Sequence, residues 1–298
     1  MASHTMVVAP IISALVEAEK MLGKKRNWQT QSLQQVKFIN DFFSKRNELS
    51  LFKPEELQSW VSDNADELNS ILAKERIAFR FKEFRPDELG VVSILSVLIE
   101  WLAECSKAII KLGDNTYPAI LMKNEATTET QNLPMFETYV SSIHDHPVFC
   151  VNTKTGERVS MTVAEKEIAS FSLVFVIEKI RKRRKRLGCY NNLIVPMIDY
   201  ESMVDISWLQ GLNTTDQKNL PWNISQAMQQ TKFKMNCQGA RVKSAVAIAV
   251  RMCASVMPNI YTIDKPFLLW IEREGLDIPI MYAYLDKDTW KNPWSLYI

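Results

Sequence analysis

The sequence predicts an α+β protein, with a helical N-terminal part followed by a mixed, sheet-containing C-terminal part. Three observations carry this reading. Apolar residues recur at helical spacing through the first 125 residues. A polar stretch punctuated by Pro118, Pro134 and Pro147 then breaks the pattern. Beyond Asn192, short apolar runs alternate with turn residues, as strands do. The division expected is a helical region over 1–125 and a mixed region over 126–298. With 298 residues, 47% hydrophobic and 23% charged, the chain can bury a substantial core and is not disordered.

Taken in order, Ile12, Leu15, Val16 and Leu22 share one face of a first helix that Gly23 ends. Leu33, Val36, Ile39 and Phe43 fit a second. Pro54 followed by Glu55 and Glu56 reads as a helix start, and Leu57, Trp60, Val61, Leu68, Ile71 and Leu72 as its stripe. The apolar run from Val91 to Leu102 predicts a helix over about 86–111, buried on all sides at the centre of the molecule with Leu98 inside it. VFCVNTKTGERVSMTV, residues 148–163, reads as a hairpin turning at Asn152 to Gly156. Ile168 to Ile180 is strongly apolar, and its length favours a helix over a strand. LIVPMI, TKFKM, AVAIAV, PFLLWIE and IPIMYAYL are the strand candidates of the last third.

Composition removes most catalytic classes. The eight glycines are all at least 23 residues apart, so neither a P-loop, a dinucleotide fingerprint nor a nucleophile elbow can form. Of three histidines, His4 lies in an opening, MASHTM, of the kind that cloning leaves behind; His144 and His146 remain. No metal and no cofactor is expected. His144, His146 and Cys150 are the one metal-like grouping, and its ligand count is short by one, so it reads as a polar loop. Five cysteines, an odd number with no C-x-x-C pair, point to a reducing compartment. The expected location is therefore intracellular, cytoplasmic or nuclear. Met6 to Val16 reads as the start of an amphipathic helix, with a signal-peptide core and secretion as the alternative. No stretch reaches the roughly 18 apolar residues of a membrane span, so no membrane partner is expected.

The formal net charge is only +2, so polyanion binding needs a local patch. Arg181, Lys182, Arg183, Arg184, Lys185 and Arg186 form one. Six successive cations suit phosphates, a nuclear import receptor or simply a solvated helix end. They are expected to be largely exposed. Asn213-Thr-Thr and Asn223-Ile-Ser fit the glycosylation sequon, which matters only in a secreted chain.

From Leu193 onward the sequence resembles the C-terminal part of a serpin. LIVPMIDYESMVDISWLQGLNTTD is similar to a strand followed by a short helix in that family. TKFKMNCQGARVKSAVAIAV resembles the fifth strand of the large sheet running into the hinge of the reactive loop. IDKPFLLWIEREGLDIPIMYAYLDKDTWKNP resembles the terminal pair of strands and the closing Asn-Pro. A fainter similarity covers 76–103. The resemblance implies an exposed reactive loop over about 239–262, with Gly239 and Lys243 in its hinge and a scissile bond near Arg251, Met252, Cys253 and Ala254. Serpins trap proteases by inserting the cleaved loop as a new central strand, which demands small hinge residues. Here Val242 is branched, Lys243 is charged, and Cys237 and Gln238 replace the usual acidic residues before the glycine.

The function expected is therefore non-catalytic. It is protein binding by a serpin-like chain that does not trap proteases, with a protein as partner, whether a protease or not. The first alternative is a serine or cysteine protease inhibitor acting through 239–262. The second is a nucleoprotein-like protein binding nucleic acid through 181–186.

Overall fold

The computed structural model describes residues 2–23, 27–85, 88, 90–124, 133–238 and 259–296. A short strand β1 (His4–Met6) leads into helix α1 (Val8–Met21) and then α2 (Leu33–Asp41), which a 3-10 segment, Phe43–Leu51, continues. Strand β2 (Leu57–Ser62), helix α3 (Ala65–Lys74) and strand β3 (Gly90–Leu95) follow, then the hairpin β4 (Ser106–Leu112) and β5 (Asn115–Lys123). Next come β6 (Phe136–Ser141), β7 (His144–Asn152), β8 (Glu157–Val163), helix α4 (Ser170–Lys182) and β9 (Arg184–Arg186). The last third holds β10 (Asn192–Pro196), β11 (Ile198–Val204), β12 (Asn213–Thr215), β13 (Pro221–Asn223) and β14 (Gln229–Met235). It ends with β15 (Ile260–Thr262), β16 (Phe267–Arg273) and β17 (Met281–Leu285). The class is α+β, as expected.

The strands build a seven-stranded sheet ordered β1-β17-β16-β8-β7-β6-β9 and a four-stranded sheet ordered β15-β10-β5-β4. Three pairs stand apart: β11-β14, β12-β13 and β2-β3. Strand β16 shows how the core is organised. Its Phe267, Leu269 and Ile271 enter a cluster shared with Ile120, Met122 and Leu193 of the four-stranded sheet. Its Leu268 and Trp270 enter a second cluster, with Ile12 and Leu15 of α1 and Val174 and Ile177 of α4. A strand buried on both faces has no polar side to show, hence the unbroken run FLLWI. Pairing of β1 with β17 and of β5 with β10 joins the first 125 residues to the rest.

Several local expectations hold. In α1, Ile12 and Leu15 are buried, and Gly23 follows in a left-handed conformation with φ +89°. The hairpin β7-β8 turns at Gly156, φ +92°, and α4 covers the apolar run ending at Ile180.

Five strands, β1 to β5, correct the all-helical reading of 1–125. Pro54-Glu-Glu starts only one turn, with Leu57 N bonded to Lys53 O at 3.2 Å, before β2 begins. Trp60 and Val61 then pair with Val92 and Val91. The helix expected over 86–111 is instead β3, a connection and β4, so Leu98 is half-buried and not central. The physical reason is that β3 lies between α1 and α3, and a strand covered on both faces loses the alternation that separates it from a buried helix. Gly90 opens β3 because a side chain there would collide with Phe84 and Leu68. The same reading overran a hairpin signal, Gly113-Asp114, where Gly113 has φ +59°. In α2 the buried face is Gln35 and Phe38, while Leu33 is 83% exposed. Gln35 turns inward because its amide donates to the carbonyls of Trp208 and Gln210, at 2.9 and 3.0 Å.

Candidate functional site

Strand β3 pairs only with β2, and β14 only with β11, among the described residues. Both strands border one cavity of about 430 Å³. Ile11 and Leu15 of α1, Val92 and Ile94 of β3, and Thr231 and Phe233 of β14 line it. Alternation along β14 explains the last two, since Thr231, Phe233 and Met235 are the buried positions of that strand. The Thr231 hydroxyl oxygen is buried without a hydrogen-bond partner. Beneath β3, Ser13, Ser59 and Ser93 form a chain of hydroxyls, 2.7 and 2.8 Å apart, joining α1, β2 and β3.

A second segment, 76–84, lies along the same cavity. Ala78 N donates to Gln230 Oε1 at 2.7 Å, Lys82 N to Gln226 Oε1 at 3.3 Å, and Lys232 Nζ to Arg76 O at 2.9 Å. These partners descend along β14 as the segment ascends, so it runs antiparallel to that strand through side-chain bonds. Asn69 of α3 clasps Phe81, its Nδ2 donating to the carbonyl at 3.1 Å and its Oδ1 accepting from the amide at 2.8 Å. Phe79, Phe81 and Phe84 stack edge to face, 4.7 and 5.4 Å between centroids, and pack on Leu68, Leu72 and Val92. In sequence this segment falls only within the fainter similarity over 76–103, as helix, which does not place it along β14. The alternation in IAFRFKEF was its one signal.

After β14 the chain passes through Asn236 to Gln238. Gly239, Lys243, Arg251, Met252, Cys253 and Ala254 lie outside the described residues, as does the strand candidate AVAIAV. The chain returns at Asn259, and β15 pairs in parallel with β10.

The basic stretch requires a correction. Arg183, Lys182, Lys185 and Arg186 are exposed as expected, but Arg181 and Arg184 are not. Glu272 accepts from Arg181 Nε at 2.7 Å and from Arg184 Nη1 at 2.9 Å. Ser160 Oγ and Trp270 Nε1 donate to the same carboxylate at 3.0 and 3.1 Å. Burial by itself raises the Glu272 pKa, yet Arg184 and Arg181 outweigh it and hold the group below the usual carboxylate value. Arg181 also reaches Glu178, whose Oε1 accepts from Tyr282 at 3.0 Å. Arg181 and Arg184 are thus held in a largely buried cluster, while Lys182 and Arg186 make exposed ion pairs, with Glu178 at 3.8 Å and Glu137 at 2.9 Å. Glu272 was invisible as a partner in sequence because it arrives from β16.

His144 and His146 lie on β7, not in a loop. His144 Nε2 bonds Thr162 Oγ1 at 2.8 Å, and His146 Nε2 bonds Glu165 Oε1 at 2.6 Å. Cys150 is fully buried, and Ser160 donates to its sulfur at 3.3 Å. Among the described residues no three such side chains converge on one point, and no helix is long and apolar enough to cross a membrane.

The whole arrangement superposes on solved structures. A serpin from Schistosoma mansoni aligns with a TM-score of 0.59 at 12% identity, over 96% of this chain and 95% of that one. Serpin48 of the insect Tenebrio molitor, described as highly specific, gives 0.57 at 13%, over 96% and 92%. The chain has a serpin-like fold. Human thyroxine-binding globulin, complexed with thyroxine, gives 0.56 at 10% identity, over 95% and 91%. No family model matches the sequence, and no curated protein does either. Within the serpin-like fold, β11 and the short helix Ser207–Leu209 form the strand and helix that the sequence resemblance implies. The pair β16-β17, turning at Gly275, is the terminal hairpin.

Proposed function

We infer that this chain is a non-catalytic protein that binds another protein, on a serpin-like scaffold that does not trap proteases. The observation that carries this reading is segment 76–84 along β14. A strand inserted beside β14 would have to release the contacts of Gln226, Gln230 and Lys232 and lift three phenylalanines from their cluster. The sequence after β14 opposes insertion as well. Lys243 would bring a charge toward an apolar cavity, at a cost of several kcal/mol when unpaired, and Val242 is branched where small residues are needed. Ligand binding has a precedent in the fold, since human thyroxine-binding globulin was solved in complex with thyroxine. Its site of action, on this reading, is the cytoplasm or nucleus, on the odd cysteine count.

One observation favours a second reading. The edge of β3, which among the described residues pairs only with β2, borders the 430 Å³ cavity that β14 also lines, and an inserting strand requires such an edge. On that reading the chain inhibits a serine or cysteine protease, cleaved near Arg251, Met252, Cys253 and Ala254.

A thermal melt before and after a limited tryptic cut at Arg241, Lys243 or Arg251, with fragments checked by mass, separates the two. The non-trapping reading expects an unchanged or lower Tm. A rise of tens of degrees, with a protease complex that survives denaturing electrophoresis, would establish trapping instead.

A further inference from the structure

The cavity bordered by β3 and β14 has a direction and a chemistry of its own. Val7, Ile11, Leu15, Ala18 and Leu22 line it at helical spacing, so one face of α1, with the residues that cap it, forms its floor. From Val7 to Leu22 that floor runs about 22 Å. Spread over this length, about 430 Å³ leaves a mean cross-section of about 20 Å², a long and thin space. Both ends are apolar. Met6 pairs with Tyr282, which brings Val7 beside Met281 at one end. Trp28, whose Nε1 donates to Glu19 at 3.1 Å, lies toward Leu22 at the other. Phe79, Phe81 and Phe84 of segment 76–84 add aromatic faces.

Most polar side chains on the walls are already engaged. Gln226, Gln230 and Lys232 hold segment 76–84. Gln229 holds the start of α1, its Oε1 accepting from Val7 N at 3.2 Å and its Nε2 donating to Val7 O at 2.7 Å. Ser93 accepts from Ser59 at 2.8 Å. Thr231 differs. The residue is 5% exposed, yet its hydroxyl oxygen has no partner. A buried hydroxyl with nothing to bond is a standing cost, which an oxygen on a bound molecule removes. The charged residues on the walls are two glutamates, Glu75 and Glu88, and two lysines, Lys232 and Lys234, so they balance and give an ionised ligand no net attraction.

We propose that this cavity binds a neutral single-chain lipid, an unbranched hydrocarbon chain of the fatty-alcohol class whose uncharged oxygen bonds Thr231 Oγ1. The thin apolar space supplies affinity by taking the chain out of water, and Thr231 fixes where its oxygen sits. The inference rests on neither reading of the function, and a bound chain and an inserted strand would exclude one another.

The test uses the full chain and the displacement of N-phenylnaphthylamine, a dye that fluoresces in apolar sites. The expected result is saturable binding of one dye per chain, displaced by tetradecanol and about tenfold less well by tetradecanoic acid at about pH 8, where the acid is ionised. Ala14→Phe, which puts a ring into the floor of the cavity, should abolish binding of both dye and alcohol. Thr231→Val keeps the side chain's shape and removes a hydroxyl that has no partner, so Tm and dye binding should stay as in wild type. Its affinity for tetradecanol should fall about fivefold, the worth of one hydrogen bond. Should Ala14→Phe not fold, the Thr231→Val comparison still decides. Absence of saturable dye binding, unchanged binding in a folded Ala14→Phe, equal displacement by acid and alcohol, or an unchanged tetradecanol affinity in Thr231→Val would overturn the proposal.

Discussion

At Glu272 two guanidiniums, a hydroxyl and an indole converge on one carboxylate whose side chain is 12% exposed. Replacing it by Gln leaves Arg181 and Arg184 largely buried and unmatched, so Glu272→Gln should cost about 3 kcal/mol in urea unfolding. Lys182→Gln, Arg183→Gln and Lys185→Gln should each stay within about 0.5 kcal/mol. Equal losses at all these positions would refute the distinction between buried and exposed cations. The pH dependence has a definite sign at His144. Desolvation, then the charge of His146, lowers its pKa below 6.5, against the pull of Asp145 and Glu165. A depressed folded-state pKa contributes stability that is present above 6.5 and lost as pH falls through the folded value. Wild type should therefore lose more Tm than His144→Gln between about pH 7.5 and about pH 5.5. The reverse order would show that His144 is not the group responsible. Both histidines and all six cations were conspicuous in the sequence. Their partners Glu272, Thr162 and Glu165 were not, because only β-sheet register brings them close.

Among elements, α1 was legible from its apolar stripe, α4 from the length of its apolar run, and the β7-β8 hairpin from its glycine turn. Strand β3 was not, since α1 covers one face and α3 the other. Segment 76–84 is regular in neither sense, and its place depends on bonds from the side chains of Asn69, Gln226, Gln230 and Lys232. Removing one of them, by Asn69→Ala, deletes two hydrogen bonds to Phe81 worth about 1 kcal/mol or more together. Local opening should then rise about tenfold, and tryptic cleavage at Arg80 or Lys82 with it. If cleavage stays at the wild-type rate while global stability drops, the segment opens only with the whole fold, and its description as a separate clasp is wrong.

At the scale of the molecule, the first strand decides more than its length suggests. Thr5 pairs with Ala283 and Met6 with Tyr282, and Met6 is 0% exposed in the cluster beneath the seven-stranded sheet. The opening that looked like a cloning remnant therefore builds the sheet edge at His4 to Met6. Met6→Ala should cost about 3 kcal/mol through lost burial and the cavity left behind. A cost below about 0.5 kcal/mol in urea unfolding would mean that β1 frays without consequence. The serpin-like fold also explains why the last hundred residues were the most readable. β10 passes into β11 through Met197 alone, and β16 into β17 through residues 274–280, so in these pairs spacing in sequence maps onto spacing in space.

The sequence by itself determined which side chains are apolar and at what period, where glycine permits a left-handed turn, and that phosphate loops and nucleophile elbows cannot form. That was enough for the α+β class, for α1, α4 and the β7-β8 hairpin, and for the serpin resemblance from Leu193. Tertiary structure alone decided that Val91 to Leu95 is a strand, that Arg181 and Arg184 face inward to Glu272, and that Ile77 to Phe84 lies along β14. The physical reason is the same in each case. A run buried on both faces has no periodic signature, and an ion pair or a side-chain clasp between distant segments exists only once the sheets have brought them together.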